Sequence, residues 1–183
     1  MTELTTLLAA ARAGDRKAAE KAFSLLYDDL RRLARSRLRQ HRTMTLLDTT
    51  ALVHESYLKL MGGAGLAVED RHHFFAYAAR VMRSVIVDFA RRKQADRRGG
   101  SLVRTTVDVE HAATVSGEEE ILCVHQALTR ISAVDPRMTQ VVEMRYFGGL
   151  TEPEIAQALG VTERTVRRDW HKARLLLREA LAA

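Results

Sequence analysis

The chain has a single cysteine, Cys123, in 183 residues, so no intrachain disulfide can brace it. Proline occurs twice and glycine ten times, which disfavours a turn-rich β fold and leaves room for long helices. There is no run of eighteen apolar residues, so no membrane span is expected. The N-terminus, MTELTTLLAAARAGDRKA, lacks a basic segment followed by an apolar run and a cleavage site; it does not read as a secretory signal, and a cytoplasmic protein is expected. Catalytic signatures are equally scarce. His54-Glu55 has no second histidine at zincin spacing, and no phosphate-binding or dinucleotide fingerprint is present. His72-His73 with Cys123 matches no ligand spacing. The expectation is a non-enzyme with no metal and no cofactor.

What is present is basic charge, unevenly spread. The net charge is +6, but residues 1–98 hold 19 Lys and Arg against 11 Asp and Glu. Residues 99–120 hold 1 against 5, and residues 121–183 hold 9 against 7. A basic front half suits a polyanion such as nucleic acid, although solubility alone would also use it. Apolar residues make up 46% of the chain, enough for a core.

Helical periodicity dominates the front half. Ala22, Leu25, Leu26, Leu30, Leu33 and Leu38 line one face of a long helix whose other face carries Arg31, Arg32, Arg35, Arg37 and Arg39. A second helix spans about Thr50 to Met61, burying Leu52, Val53, Tyr57, Leu60 and Met61. After the glycine-bearing loop 62–70 comes a third, which buries Phe74, Phe75, Ala78, Val81, Met82, Val85, Ile86 and Phe89 and ends in the basic run 91–98. Residues 99–117 open with Gly-Gly, turn acidic and show no period, which reads as a linker. Glu118-Glu119-Glu120 reads as a solvated stretch that starts the next helix. In the back module, 118–183, Asp135 can cap a helix with Pro136 at its first position. Thr151 with Glu154 makes a capping-box pattern, Gly160 stops that helix, and Thr162 caps the last one. Ile155, Ala156, Leu159, Val161 and Val166 pin two helices about a short turn, and the second carries Arg164, Arg167, Arg168, Lys172 and Arg174. That is a helix-turn-helix pattern for DNA. Trp170 reads as core. The fold class is all-α, two small helical domains joined by an acidic flexible linker.

YDDLRRLARSRL, LVHESYLKL, FFAYAARVMRSVIVDFARR and VVEMRYFGGLTEPEIAQALGVTERTVRRDWHKARLLL, in that order, resemble an extracytoplasmic function (ECF) sigma factor, a subunit that attaches to core RNA polymerase and selects the promoter. The resemblance implies that residues 1–98 bind the polymerase clamp and melt the −10 element, and that residues 118–183 read the −35 element and touch the polymerase flap. It places a base-capturing loop at 62–73, where His72, His73 and Phe74 offer hydrogen bonds and a stacking face, although Phe74 and Phe75 also suit a core. Arg80, Arg83, Arg91 and Arg92 are then phosphate contacts. Arg167, Arg168, His171 and Lys172 occupy base-facing positions, where arginine can fork onto guanine; Thr151, Arg164 and Arg174 suit phosphates. Asp48, Thr50, His54 and Glu55 mark the clamp-binding face. Core RNA polymerase and promoter DNA are the implied partners, with an anti-sigma factor as a further candidate. The alternatives are an operator-binding regulator that does not act as a polymerase subunit, and a scaffold whose basic faces serve only solubility.

One departure from the family stands out. Aligning LVHE with the usual LVQE sets Asp48, Thr49, Thr50 and Ala51 against an acidic quartet, Asp-Ala-Glu-Asp, that faces basic residues of the clamp. Thr50 and Ala51 replace two acids. A cap would explain one threonine. A phosphate on Thr50 would restore negative charge, about −1.5 to −2 at neutral pH. The expectation is a Ser/Thr protein kinase acting on Thr50 first and Thr49 second.

Overall fold

The computed structural model describes residues 3–40, 49–62, 68, 70–99 and 117–182, with side chains left out at 36–40, 61–62 and 97–99. The expected linker therefore lies outside the described residues except at its ends, where Gly99 closes α4 and Gly117 opens α5, and so do Asp48 and most of the loop 62–70. Every regular element among the described residues is helical: α1 Glu3–Arg12, α2 Arg16–Gln40, α3 Thr49–Gly62, α4 Arg71–Gly99, α5 Gly117–Ser132, α6 Pro136–Val142, α7 Glu152–Leu159 and α8 Glu163–Ala182. None of them is long and apolar enough to cross a membrane.

Helices α2, α3 and α4 form as the apolar spacing predicts. Leu26, Leu30 and Leu33 of α2, Leu52 and Leu60 of α3, and Met82 and Ile86 of α4 are all fully or almost fully buried. Leu25 departs from the expectation: it is 50% exposed, because the stripe that α1 and α3 cover runs through Ala22, Leu26 and Leu30. Tyr57 and Phe89 are half-buried rather than core; Tyr57 stacks on Phe23 with ring centroids 4.3 Å apart. The N-terminal segment, for which the spacing predicts no separate helix, is helical too. It forms α1, which seats Leu8 and Ala11 against α2.

Local chemistry sets the back-half boundaries. The Asp135 carboxylate accepts from the Met138 N–H at 2.9 Å, and Pro136 opens α6. The Thr162 hydroxyl accepts from the Thr165 N–H at 3.3 Å at the head of α8. Gly160 ends α7 at φ 64°, a left-handed conformation that suits glycine. The helix opened by Pro136 widens at its end: residues 143–147 are π-helical, and the Gly148 N–H reaches back to the Glu143 carbonyl at 2.9 Å.

The two halves do not stand apart. α4 packs on α5, on the π-helical segment and on α7, and one continuous buried cluster runs from Leu8 to Leu177. Where the π-helical segment meets α4, a Cβ on Gly148 would lie 2.8 Å from the Ala79 Cβ, so the small residue lets the segment settle onto α4.

Candidate nucleic-acid interface

The clearest candidate surface is on α8. Val166, Ala173 and Leu177 turn one side of the helix into the core, and Asp169 is buried with them. At 3.6 residues per turn, Arg164, Arg167, Arg168, His171, Lys172 and Arg174 fall within an arc of about 160° on the opposite side. All six are exposed. Two of the arginines are held by carboxylates. Arg167 Nε donates to Glu152 at 3.1 Å, and Arg168 Nε lies 3.4 Å from Asp169, which also takes Arg137 Nε at 2.8 Å. Glu152 also accepts from Arg145 at 2.8 Å; this bond, with that from Arg167, holds its carboxyl below the ordinary carboxylate value. Arg145 lies over the Trp170 ring, 4.9 Å from its centroid, so the half-buried Trp170 is a stacking partner as well as packing material. Among the described residues Lys172 and Arg174 face no carboxylate.

Thr151 is exposed at the N-terminus of α7. Its N–H and its hydroxyl both donate to Glu154, each at 2.8 Å. Glu154 also accepts from Arg32 of α2 at 2.9 Å. The threonine is therefore a cap residue already engaged by its own helix.

On α4 the expected contacts separate. Arg91 and Arg92 are exposed, and the Arg80 side chain is 63% exposed. Arg83 is not: its side chain is 12% exposed and pairs with Glu143 at 2.5 Å. Arg83 Nη2 also lies 3.1 Å from Nδ1 of His125, and Nε lies 3.2 Å from it. A ring nitrogen that accepts from a guanidinium is unprotonated, so the neutral His125 carries its hydrogen on Nε2. The approach of Arg91 to Nε2 at 3.4 Å is then a contact between like donors. Burial, followed by Arg83 and Arg91, lowers the His125 pKa from the ordinary value of 6.5, with Asp88 acting the other way. A cleft of about 320 Å³ lies along this seam, lined by the arginines of α4 with His125 and Glu143.

Phe74 corrects an expectation. Its ring is 0% exposed and packs in the front core beside Phe75, so it presents no face to a base. An apolar side chain on the inner face of α4 gains more from the core than from a groove. His72 is half-buried and His73 exposed; the His73 N–H is held by Asp70 at 2.8 Å, which lowers the Asp70 pKa. The Glu118–Glu120 stretch is a second correction. Glu118 is 5% exposed and pairs with Lys93 at 2.6 Å, and Glu120 accepts from the Tyr146 hydroxyl at 3.0 Å.

On α3, Thr50, His54 and Leu58 are exposed at four-residue intervals, with Glu55 half-exposed beside them. Thr49 is half-buried and opens the helix, whose first turn holds no acidic residue.

Sequence reasoning missed Glu143, His125 and Glu118, which meet α4, and Glu152 and Asp169, which hold the α8 arginines. Asp169 alone had a signal, a charge on the apolar stripe between Val166 and Ala173. Among the described residues no three His, Cys, Asp or Glu side chains group as a metal site.

A family model described as ECF sigma factor matches residues 1–183. A search of curated proteins returned no match.

Proposed function

We propose, because this chain belongs to the ECF sigma factor family and is thus an alternative sigma factor that directs RNA polymerase to promoters, that its two ends divide the work. The observation that carries the reading is the basic arc of α8, six exposed side chains opposite the buried face of Val166, Asp169, Ala173 and Leu177. An arc of that width fits a major groove, with Arg167, Arg168, His171 and Lys172 toward the bases of a −35 element and Arg164 and Arg174 toward phosphates. Thr151 would reach a phosphate only by exchanging the bonds that its N–H and hydroxyl make to Glu154. Residues 118–183 form this module, and the exposed Leu175, Leu176 and Leu181 supply apolar surface for the polymerase flap. Residues 1–98 form the other, joined by 99–117. Arg80, Arg83, Arg91 and Arg92, with His72 and His73, track the melted −10 strand; Phe74 supports them from the core.

The open α3 strip of Thr50, His54, Glu55 and Leu58 docks on the clamp. Thr50 is accessible to a Ser/Thr kinase, and a phosphate there sits in the first turn of a helix that has no acid of its own. It would carry about −1.5 to −2 charges and could pair with clamp arginines. Phosphorylation of Thr50 switches the chain toward polymerase, with Thr49, half-buried, as the second site.

Run-off transcription with core polymerase tests all of this. The expected result is a discrete transcript that strengthens after kinase treatment, is lost in Thr50→Ala and partly returns in Thr50→Glu. DNA binding without initiation would instead make the chain an operator-binding regulator. Equal transcripts with and without kinase would leave Thr50 as an ordinary first-turn residue.

A further inference from the structure

Two carboxylates sit beside the α8 arc, and each holds two arginines. Glu152, in the first turn of α7, takes Arg145 Nη1 at 2.8 Å and Arg167 Nε at 3.1 Å. Asp169, on the buried side of α8, takes Arg137 Nε at 2.8 Å and Arg168 Nε at 3.4 Å. In each set one arginine belongs to the supporting scaffold and the other to the arc. The scaffold arginines fix the acids: Arg145 lies over the Trp170 ring, and Arg137 stands in the first turn of α6. The bonds to Arg167 and Arg168 contribute little to stability, because those side chains are 67% and 58% exposed and exposed pairs are nearly neutral in net energy. Negative charge beside a DNA-binding arc also opposes the approach of phosphates. These two bonds therefore call for a use other than stability or affinity.

We infer that Glu152 and Asp169 are positioning residues for promoter reading: each grips a base-facing arginine by Nε and leaves the terminal nitrogens of its guanidinium to the DNA. The inference rests on the α8 reading in the proposed function. Both arginines are held in the same way. Among the described residues, neither Arg167 nor Arg168 makes a hydrogen bond through Nη1 or Nη2. Those terminal N–H groups are the ones that fork onto O6 and N7 of a guanine. A loose arginine must give up its rotamer freedom to place two of them at once. One already tied at Nε has less to give up, so the correct base gains more than a wrong base or a phosphate does. Arg174, assigned to a phosphate, faces no carboxylate among the described residues, and a point contact to phosphate does not need one. Glu152 and Asp169 touch no base themselves. They lower general attraction to DNA and sharpen the choice between bases.

The test uses the full chain and a pool of duplexes randomised over about 20 base pairs, two helical turns, from which bound sequences are selected and read. Arg167→Ala and Arg168→Ala each mark the base position that the arginine reads. Glu152→Gln should relax the position marked by Arg167→Ala, and Asp169→Asn the position marked by Arg168→Ala, each by about tenfold. Added to its own arginine variant, each carboxylate variant should relax nothing further. Affinity for unselected duplex should rise, since negative charge leaves the surface, whereas a loosened fold would lower it for every sequence. Helicity and urea midpoints check folding. The Glu152 side chain is 22% exposed, so Glu152→Gln keeps the test decisive if Asp169→Asn does not fold. Carboxylate variants with unchanged preference, beside arginine variants that relax, overturn the inference and leave the α8 reading standing. Relaxation spread evenly over all positions overturns it too, since it reduces both acids to scaffold. Arginine variants with unchanged preference, or a parent chain that selects no motif, remove the α8 reading and the inference together.

Discussion

Replacing Gly148 by alanine adds one methyl group where the π-helical segment packs on α4. The backbone there is ordinary, with φ −88° and ψ −21°, so alanine meets no conformational strain. By itself that favours the substitution by about 0.4–1 kcal/mol through the unfolded chain. The space decides otherwise. The new Cβ would stand 2.8 Å from the Ala79 Cβ, from Leu150 Cδ1 and from the Met144 carbonyl oxygen. The leucine methyl can rotate away. The Ala79 Cβ is fixed to the backbone of α4, and the Met144 carbonyl is engaged by the Leu150 N–H at 2.9 Å. Relief requires α4 to move or the π-helical turn to open, and overpacking of this kind costs about 1–3 kcal/mol. The net expectation is a loss of about 0.5–2 kcal/mol. Urea unfolding followed through Trp170, the only tryptophan, measures it. Ala79→Gly in the same chain removes one of the two rigid obstacles, so the double variant should be less destabilised than the sum of the singles by more than about 0.5 kcal/mol. A Gly148→Ala chain as stable as the parent, or strict additivity with Ala79→Gly, would refute the account of the seam.

Acid should loosen the same seam. His125 is kept neutral in the folded chain, and its pKa is lowered from 6.5 by burial, Arg83 and Arg91. The unfolded chain therefore takes up the proton first. Stability should be constant above the ordinary histidine value and weaken as pH falls below it toward the lowered value; Arg80 and Glu143 line the same cleft, and Asp88 opposes the shift. Urea midpoints between neutral and mildly acidic pH follow it, and a midpoint that rises on acidification would contradict it. The lowered carboxylates Asp70 and Glu152 act at lower pH: their stabilisation is present above the usual carboxylate range and is lost as pH falls through it. Glu152→Gln should release Arg167 and Arg145, raising non-specific duplex affinity and steepening its salt dependence; an unchanged salt slope would mean Arg167 reaches DNA regardless of Glu152. Arg168→Ala should cost about 1–3 kcal/mol of specific binding and relax one base position, whereas Arg174→Ala should weaken all sequences alike. Phe74→Ala should destabilise the protein by about 3–5 kcal/mol, visible in urea before any DNA is added.

The helices themselves were legible in the order of residues, because their hydrogen bonds close within a turn and their buried face repeats every 3.6 positions. Ala22, Leu26, Leu30 and Leu33 mark such a face without reference to anything distant. The boundaries at Asp135, Thr162 and Gly160 were legible for the same reason, since each satisfies backbone groups of its own turn. The basic arc of α8 followed directly from its spacing. Periodicity says which face is apolar, and it is silent on what covers the rest. Leu25 and Leu26 are neighbours of one kind, yet the helices packed against α2 leave the first half-exposed and cover the second. Arg80 and Arg83 are alike in sequence, but only Arg83 is closed in by Glu143, a residue 60 positions away that enters through a widened helical turn. Phe74 could equally have faced a groove or a core until α4 was docked. Partners such as these are chosen by long-range packing, where desolvating a charge is tolerable only beside its counter-charge, and no local pattern in the chain carries that information.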